Sequence, residues 1–131
     1  MSTLKVNNLQ DINGANNSTP EQIAQGRAKF WVTFEGDSSG TNKTINDSFN
    51  VSTVTDNGTG DFTINFTNNF SNNNYCVLGG HVGFSNGRNA FRVRPDGGMA
   101  TNQLVSSVRI QVTADGSLSD ATRIYVAGFG D

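Results

Sequence analysis

Cysteine, histidine, proline and glutamate are scarce in this sequence, and each scarcity excludes something. Cys76 is the sole cysteine, so no disulfide forms within the chain. His81 is the sole histidine, and with one thiol and one imidazole the usual four-ligand zinc site cannot be assembled inside one copy. Neither a metal nor another cofactor is expected. Glu21 and Glu35 are the only glutamates, which leaves few carboxylates for paired acid and base chemistry. Charge is low overall, with 9 basic against 11 acidic residues and an isoelectric point near 5.2, so the chain lacks the basic footprint of a nucleic-acid binder. No apolar run approaches the roughly 18 to 20 residues that span a bilayer, so membrane insertion is not expected. The amino end has neither the basic start nor the apolar stretch of a signal peptide, and a chain kept soluble where it is made is expected.

What is present is polar without being highly charged: 18 Asn, 15 Gly, 13 Thr and 12 Ser, more than two-fifths of the 131 residues. A disordered chain lacks aromatics and keeps itself soluble by net charge, whereas this one carries 9 Phe, 2 Tyr and 1 Trp at a net charge of -2. A folded, turn-rich protein with one core follows, and its length suits one compact domain. Function then has to come from a surface or an assembly.

Residues 1–27 differ in texture from the rest. Leu4, Val6, Leu9 and Ile12 are spread through a polar segment that cannot make a core alone. Leu4 and Val6 alternate with polar neighbours as a short strand would, and Asn13-Gly14 breaks any continuation. Thr19 as N-cap, Pro20 after it and Gln22 at the third position form a capping box for a helix of about two turns that ends at Gly26. From Ala28 the hydrophobic period becomes two. Phe30, Val32 and Phe34 lie on one strand face and Trp31, Thr33 and Glu35 on the other. Residues 45–55 read as a strand whose parity changes between Val51 and Val54, a bulge or a change of face. Residues 56–60, DNGTG, form the strongest turn in the chain, and Phe62, Ile64 and Phe66 alternate on the returning strand of a hairpin. The Asn-rich run 67–74 is a loop in which Phe70 tucks back as a plug. Residues 75–84 read as a long strand with both faces covered, residues 90–94, 104–113 and 122–129 as the remaining strands, and no internal repeat occurs. The expected fold is all-β, an antiparallel β-sandwich or jelly-roll-like domain of about seven to eight strands over residues 28–131, preceded by an extended segment with one short helix.

Residues able to carry chemistry are few. His81 lies mid-strand among glycines, where a hydrogen-bonded strand histidine is favoured over a triad member. The nine aspartates fall mostly in turns, as Asp56, Asp96 and Asp115 do. Cys76, on a strand between Tyr75 and Val77, suits a small buried hydrophobe better than a reactive thiolate. Asn-x-Ser/Thr triplets such as Asn42-Lys43-Thr44 follow from composition. Arg88, Arg92 and Arg94 gather near one strand end and suit either a carboxylated ligand or ion pairs on the surface or at a subunit interface. Trp31 is a stacking platform for a sugar or another chain if its sheet face is open, and part of a second buried layer if it is not. Tyr75 is a second candidate for an exposed aromatic. Gly97-Gly98 and Asn72-Asn73-Asn74 are the expected tips.

Two stretches, AKFWVTF at residues 28–34 and INDSFNVSTVTDNGTGDFTINF at residues 45–66, resemble a pattern repeated in bacteriophage tail-fibre and related virion fibre domains, especially in phages of marine bacteria and cyanobacteria. The likeness covers most of residues 28–84 and weakens beyond Phe84. The amino end, with Ser18-Thr19-Pro20-Glu21-Gln22-Ile23, is similar to the short attachment segment ahead of such domains. The resemblance implies a non-enzymatic, typically trimeric virion protein. It would dock on another virion protein through residues 1–27, with Leu4, Val6, Leu9 and Ile12 making the docking or oligomer contacts, and would display the β-domain for contact with a host-surface glycan. The alternatives at this level are a free carbohydrate-binding module, a capsid or neck decoration protein, and a hydrolase using Glu35 with turn aspartates.

Overall fold

The computed structural model describes residues 2–10, 12–15, 17–83 and 89–130. The helix forms as its capping box dictates, at α1 (Pro20–Gly26): the Gln22 amide donates to the Thr19 hydroxyl at 3.2 Å, and the Thr19 amide donates to Gln22 Oε1 at 2.9 Å. Upstream, Leu9 and Ser18 exchange two backbone hydrogen bonds of 2.8 Å, so the chain doubles back before the helix begins. Residues 3–7, expected as a short strand, lie in no strand. Among the described residues, none from 2 to 27 is buried.

The two-residue period then produces β1 (Phe30–Glu35), β2 (Thr44–Phe49), β3 (Val51–Gly58), β4 (Asp61–Phe66), β5 (Cys76–Val82), β6 (Ala90–Val93), β7 (Ser107–Ala114), β8 (Ser117–Leu118) and β9 (Arg123–Phe129). A single helical turn, α2 (Met99–Asn102), precedes β7. All pairings are antiparallel. One sheet runs β2-β1-β9-β5, the other β3-β4-β7-β6 with β8 beside β7. The expected two-sheet β architecture is thus present, with nine strands where seven or eight were read.

Phe30, Val32 and Phe34 of β1 and Ile124 and Val126 of β9 face Val54, Phe62, Ile64 and Phe66 of the β3–β4 hairpin and Val108, Ile110 and Val112 of β7, all buried. At roughly 1.5 to 3 kcal/mol for each large apolar side chain removed from water, this layer is the main source of stability. One end is closed by an aromatic cluster. Phe70 does plug the core: its ring stacks on Tyr75 at 4.1 Å between centroids, and Phe30 and Phe66 pack beside it. Close packing here depends on Gly128 of β9, since a Cβ at that position would lie 2.1 Å from the Phe30 ring.

Two strand expectations are corrected. The segment read as one strand over 45–55 is two strands in different sheets, because the chain turns a corner at Asn50, whose φ is 56°. Asparagine tolerates this left-handed backbone where most residues do not. The parity change between Val51 and Val54 seen in the sequence falls just past that corner, at a register shift between Val51 and Thr53. The second correction concerns the strand read over 75–84. In β5, an edge strand, Val77 and Gly79 face the core, and Cys76, Leu78 and Val82 are exposed rather than covered. Cys76 is therefore not the buried hydrophobe expected; Tyr75 takes the buried position one residue earlier. Phe84, placed at the end of that strand from sequence, lies outside the described residues.

Candidate functional site

The outer faces of the two sheets differ in chemistry. On the β3-β4-β7-β6 sheet the outward positions are polar and bonded to one another. Asp61, buried at the start of β4, accepts from Arg109 Nε at 2.7 Å, from Gln111 Nε2 at 3.1 Å and from Arg94 Nη1 at 3.2 Å. Burial alone would raise its pKa. The hydrogen bonds from Arg109 and Gln111 and the charges of Arg109 and Arg94 outweigh burial and hold the carboxyl below its ordinary 3.8. Arg92 donates through Nε and Nη2 to Gln111 Oε1 at 3.1 and 3.0 Å. Thus Arg94, a candidate for ligand binding, is half-buried in an ion pair within its own chain, and Arg92 is engaged in the same network. Arg88, the third of that group, lies outside the described residues.

On the β2-β1-β9-β5 sheet the outward face carries an apolar row beside polar positions, Thr33 opposite Asp47 and Glu35 near Arg123. Register aligns Phe49 opposite Trp31, Trp31 opposite Ala127 and Ala127 opposite Leu78, so one row crosses all four strands. Phe49 is 54% exposed, Leu78 57% and Trp31 37%, so the face is open and Trp31 is not part of a second buried layer. Tyr125, also exposed, lies one rung along, opposite Thr33 and Gly80. Tyr75, the other expected surface aromatic, is not on this face. It is buried in the end cluster and its hydroxyl donates to the Leu104 carbonyl at 2.8 Å. Burial pushes its phenol pKa up, so it stays neutral.

At the Phe49 end of the row the surface dips into a groove of about 750 Å³. Trp31 and Phe49 form its floor as a directly opposed cross-strand pair. Arg27 and Lys29 come from the chain entering β1, Asn68, Asn69 and Ser71 from the Asn-rich loop. Asn50 ties these walls together. Its Nδ2 donates to the Lys29 and Asn68 carbonyls, both at 3.0 Å, and its Oδ1 accepts from the Asn68 amide at 2.7 Å. Phe70 anchors the loop from below, with its amide donating to the Val105 carbonyl at 2.9 Å. The groove is an aromatic floor with a rim of amides, a hydroxyl and two cations. Sequence reasoning reached Trp31 and missed Phe49, Arg27, Lys29 and Asn69.

A second groove, about 550 Å³, lies between the leading segment and α1, lined by Leu4, Val6, Leu9, Pro20 and Ile23. Leu4 is 81% and Ile12 100% exposed, and Val6, Leu9 and Ile23 are exposed as well. The four residues expected to dock therefore stand in solvent in the single chain.

The remaining candidates are placed as follows. His81, half-buried in β5 opposite Ile124, has its pKa lowered by burial. Glu35 accepts from Asn46 Nδ2 at 3.1 Å and lies 3.9 Å from Arg123. Asp56 is paired with Lys43 at 2.7 Å, and Asp120 accepts from the Gly60 amide at 2.7 Å. Among the described residues no group of three or more His, Cys, Asp or Glu side chains is placed to hold a metal ion. No helix among them is long and apolar enough to cross a membrane.

Fold and surfaces together define a two-sheet antiparallel β-domain with one polar face, one face crossed by an exposed apolar row, and a leader with exposed aliphatic side chains. No protein-family model matches the chain, and no curated protein or solved structure matches it.

Proposed function

We propose that this chain is a non-enzymatic structural component of a bacteriophage virion, a small homotrimeric tail or fibre protein. In this reading residues 1–27 dock on another virion protein and on sister copies, and the β-domain is displayed outward to the host surface. One observation carries the proposal. The sandwich satisfies its core with its own side chains, whereas the leader presents Leu4, Val6, Leu9, Ile12 and Ile23 to water and buries none of them. Five exposed aliphatic side chains on a short capped segment are a contact surface, since each gains roughly 1.5 to 3 kcal/mol when buried by a partner. Closed symmetry brings copies of one such surface together. The likeness of residues 28–66 to virion fibre domains supplies the class of assembly.

The test is the solution mass of the full chain by light scattering, set against the variant Leu4→Asp/Leu9→Asp/Ile23→Asp. A trimer at micromolar concentration that falls to a monomer in the variant, with unchanged β-sheet circular dichroism, is expected. The variant should also fail to remain with purified particles. A monomeric parent chain, or a variant that assembles as well as the parent, overturns the proposal.

A further inference from the structure

We infer that the groove floored by Trp31 and Phe49 is a binding site for an acidic oligosaccharide, a chain of pyranose units bearing carboxylates. The inference deepens the display half of the preceding proposal, and it concerns a site in the single chain that needs no virion to be tested.

Three observations carry it. The first is the floor. Indole and phenyl side chains sit directly opposite one another on adjacent strands, both open to solvent, and the row continues past Trp31 to Ala127 and Leu78 with Tyr125 one rung away. A shallow trough of about 430 Å³ continues the surface on that side. Aromatic surface of this extent takes the C–H face of successive sugar rings.

The second observation is the rim. Asn69 and Ser71 line the groove, and neither side chain is hydrogen-bonded among the described residues, whereas Asn50 and Asn68 are consumed in holding the walls. Free amide and hydroxyl groups beside an aromatic floor match vicinal sugar hydroxyls, which both donate and accept.

The third is charge. The chain is net negative, yet this groove is lined by Arg27 and Lys29 and by no carboxylate. Among the described residues of the β-domain Lys43 is paired with Asp56, Arg94 and Arg109 with Asp61, and Arg123 with Glu35, while Arg92, away from this groove, is held by the Gln111 amide oxygen. Lys29 and Arg27 have no such partner among the described residues. Two uncommitted cations in an otherwise acidic molecule complement an anionic ligand, and the aromatic floor between them requires that the anion be carried on a ring.

Trp31 is the sole tryptophan, so its fluorescence reports on the groove directly. The full chain is titrated with trigalacturonate, with the neutral sugar maltotriose, and with tripolyphosphate as a non-sugar anion, and the heats are measured in parallel. Saturable quenching or a blue shift with trigalacturonate is expected, with weaker binding of maltotriose and none of tripolyphosphate. Raising the ionic strength from about 0.05 to about 0.5 M should weaken trigalacturonate binding, because part of the contact is ionic. Lys29→Gln, a surface change that leaves the core alone, should weaken trigalacturonate binding about tenfold, the loss of one charged hydrogen bond, while leaving maltotriose unchanged. Asn69→Asp should act in the same direction by adding a like charge to the rim. Trp31→Ala, followed by calorimetry, should abolish binding of both sugars. The inference is overturned if trigalacturonate gives no saturable response at millimolar concentration, if tripolyphosphate binds equally well, or if Lys29→Gln and Trp31→Ala both bind as the parent does. None of these outcomes bears on whether the leader forms a trimer, so this site and the assembly proposal fail separately.

Discussion

Replacing Asn50 tests whether the corner between the two sheets and the groove beside it are held by one side chain. Asn50 makes four hydrogen bonds: from Nδ2 to the carbonyls of Lys29 and Asn68, and at Oδ1 from the amide and Nδ2 of Asn68. Several of these groups are exposed and recover water when the bond is lost, so each is worth about 0.5 kcal/mol, at the low end of the range for neutral bonds. Asn50→Gly keeps the left-handed backbone and deletes the bonds, a loss of about 2 kcal/mol. Asn50→Ala deletes the same bonds and forces a Cβ into a backbone of φ 56°, adding about 1 kcal/mol. For a chain of this length 1 kcal/mol moves the melting temperature by about 4 °C. The glycine variant should therefore melt about 8 °C below the parent and the alanine variant about 12 °C below it, read by differential scanning calorimetry. Both should also alter the emission of Trp31, because the loop and the β1 entry lose their tie. If alanine is as stable as glycine, or if both melt with the parent, the corner is not held as described.

Other consequences can be measured with the same assay. Gly128→Ala should destabilise by about 1 to 3 kcal/mol through overpacking, because the added methyl meets the ring of Phe30, which is fully buried; an unchanged melting temperature would refute that packing. Tyr75→Phe should cost about 1 kcal/mol by removing the buried tyrosine's hydroxyl bonds to the Leu104 and Ser107 carbonyls, with no change in fold by circular dichroism. Asp61→Asn should cost about 2 kcal/mol near neutral pH, since Arg94 and Arg109 lose their counter-ion while retaining partial access to water. The sign with pH follows from the lowered carboxyl pKa. In the unfolded chain Asp61 titrates near 3.8 and in the folded chain below it, so its contribution is complete above 3.8 and is lost as pH falls through the folded value. The variant should accordingly show a shallower loss of stability on acidification than the parent. Asp56, lowered in the same direction by its hydrogen bond from Lys43, keeps some slope in both.

Much of the architecture is legible from residue order alone, because it rests on local rules. The Thr19-Pro20-Glu21-Gln22 capping box specifies α1 through bonds that span three residues, and the DNGTG turn specifies the β3–β4 hairpin through backbone that asparagine and glycine alone adopt cheaply. The alternation of Phe30, Val32 and Phe34 against Trp31 and Thr33 declares which side of β1 meets the core. Even Phe70 as a plug follows from one aromatic in a run of asparagines. What alternation does not state is whether a face that could be covered is covered. Cys76, Leu78 and Val82 read as buried, yet β5 is an edge strand whose outer side meets only water, and Tyr75 one residue earlier takes the core position. Likewise the arginines near one strand end suited either a carboxylated ligand or ion pairs, and only the pairing of β4 with β7 and of β7 with β6 puts Asp61 within reach of Arg94 and Arg109 and engages their charge.

The groove shows the same division. Trp31 stood out by its position on the far face from Phe30 and Val32, a property of sequence period. That Phe49 lies opposite it, that Asn69 stands at its rim, and that the charges and donors there remain unspent depend on contacts between residues distant in sequence. Local backbone preference determines which elements form and which side of each is apolar. Which charges are neutralised and which aromatic surfaces stay open is decided by how β1, β2 and the 67–74 loop are brought together, a matter of long-range register.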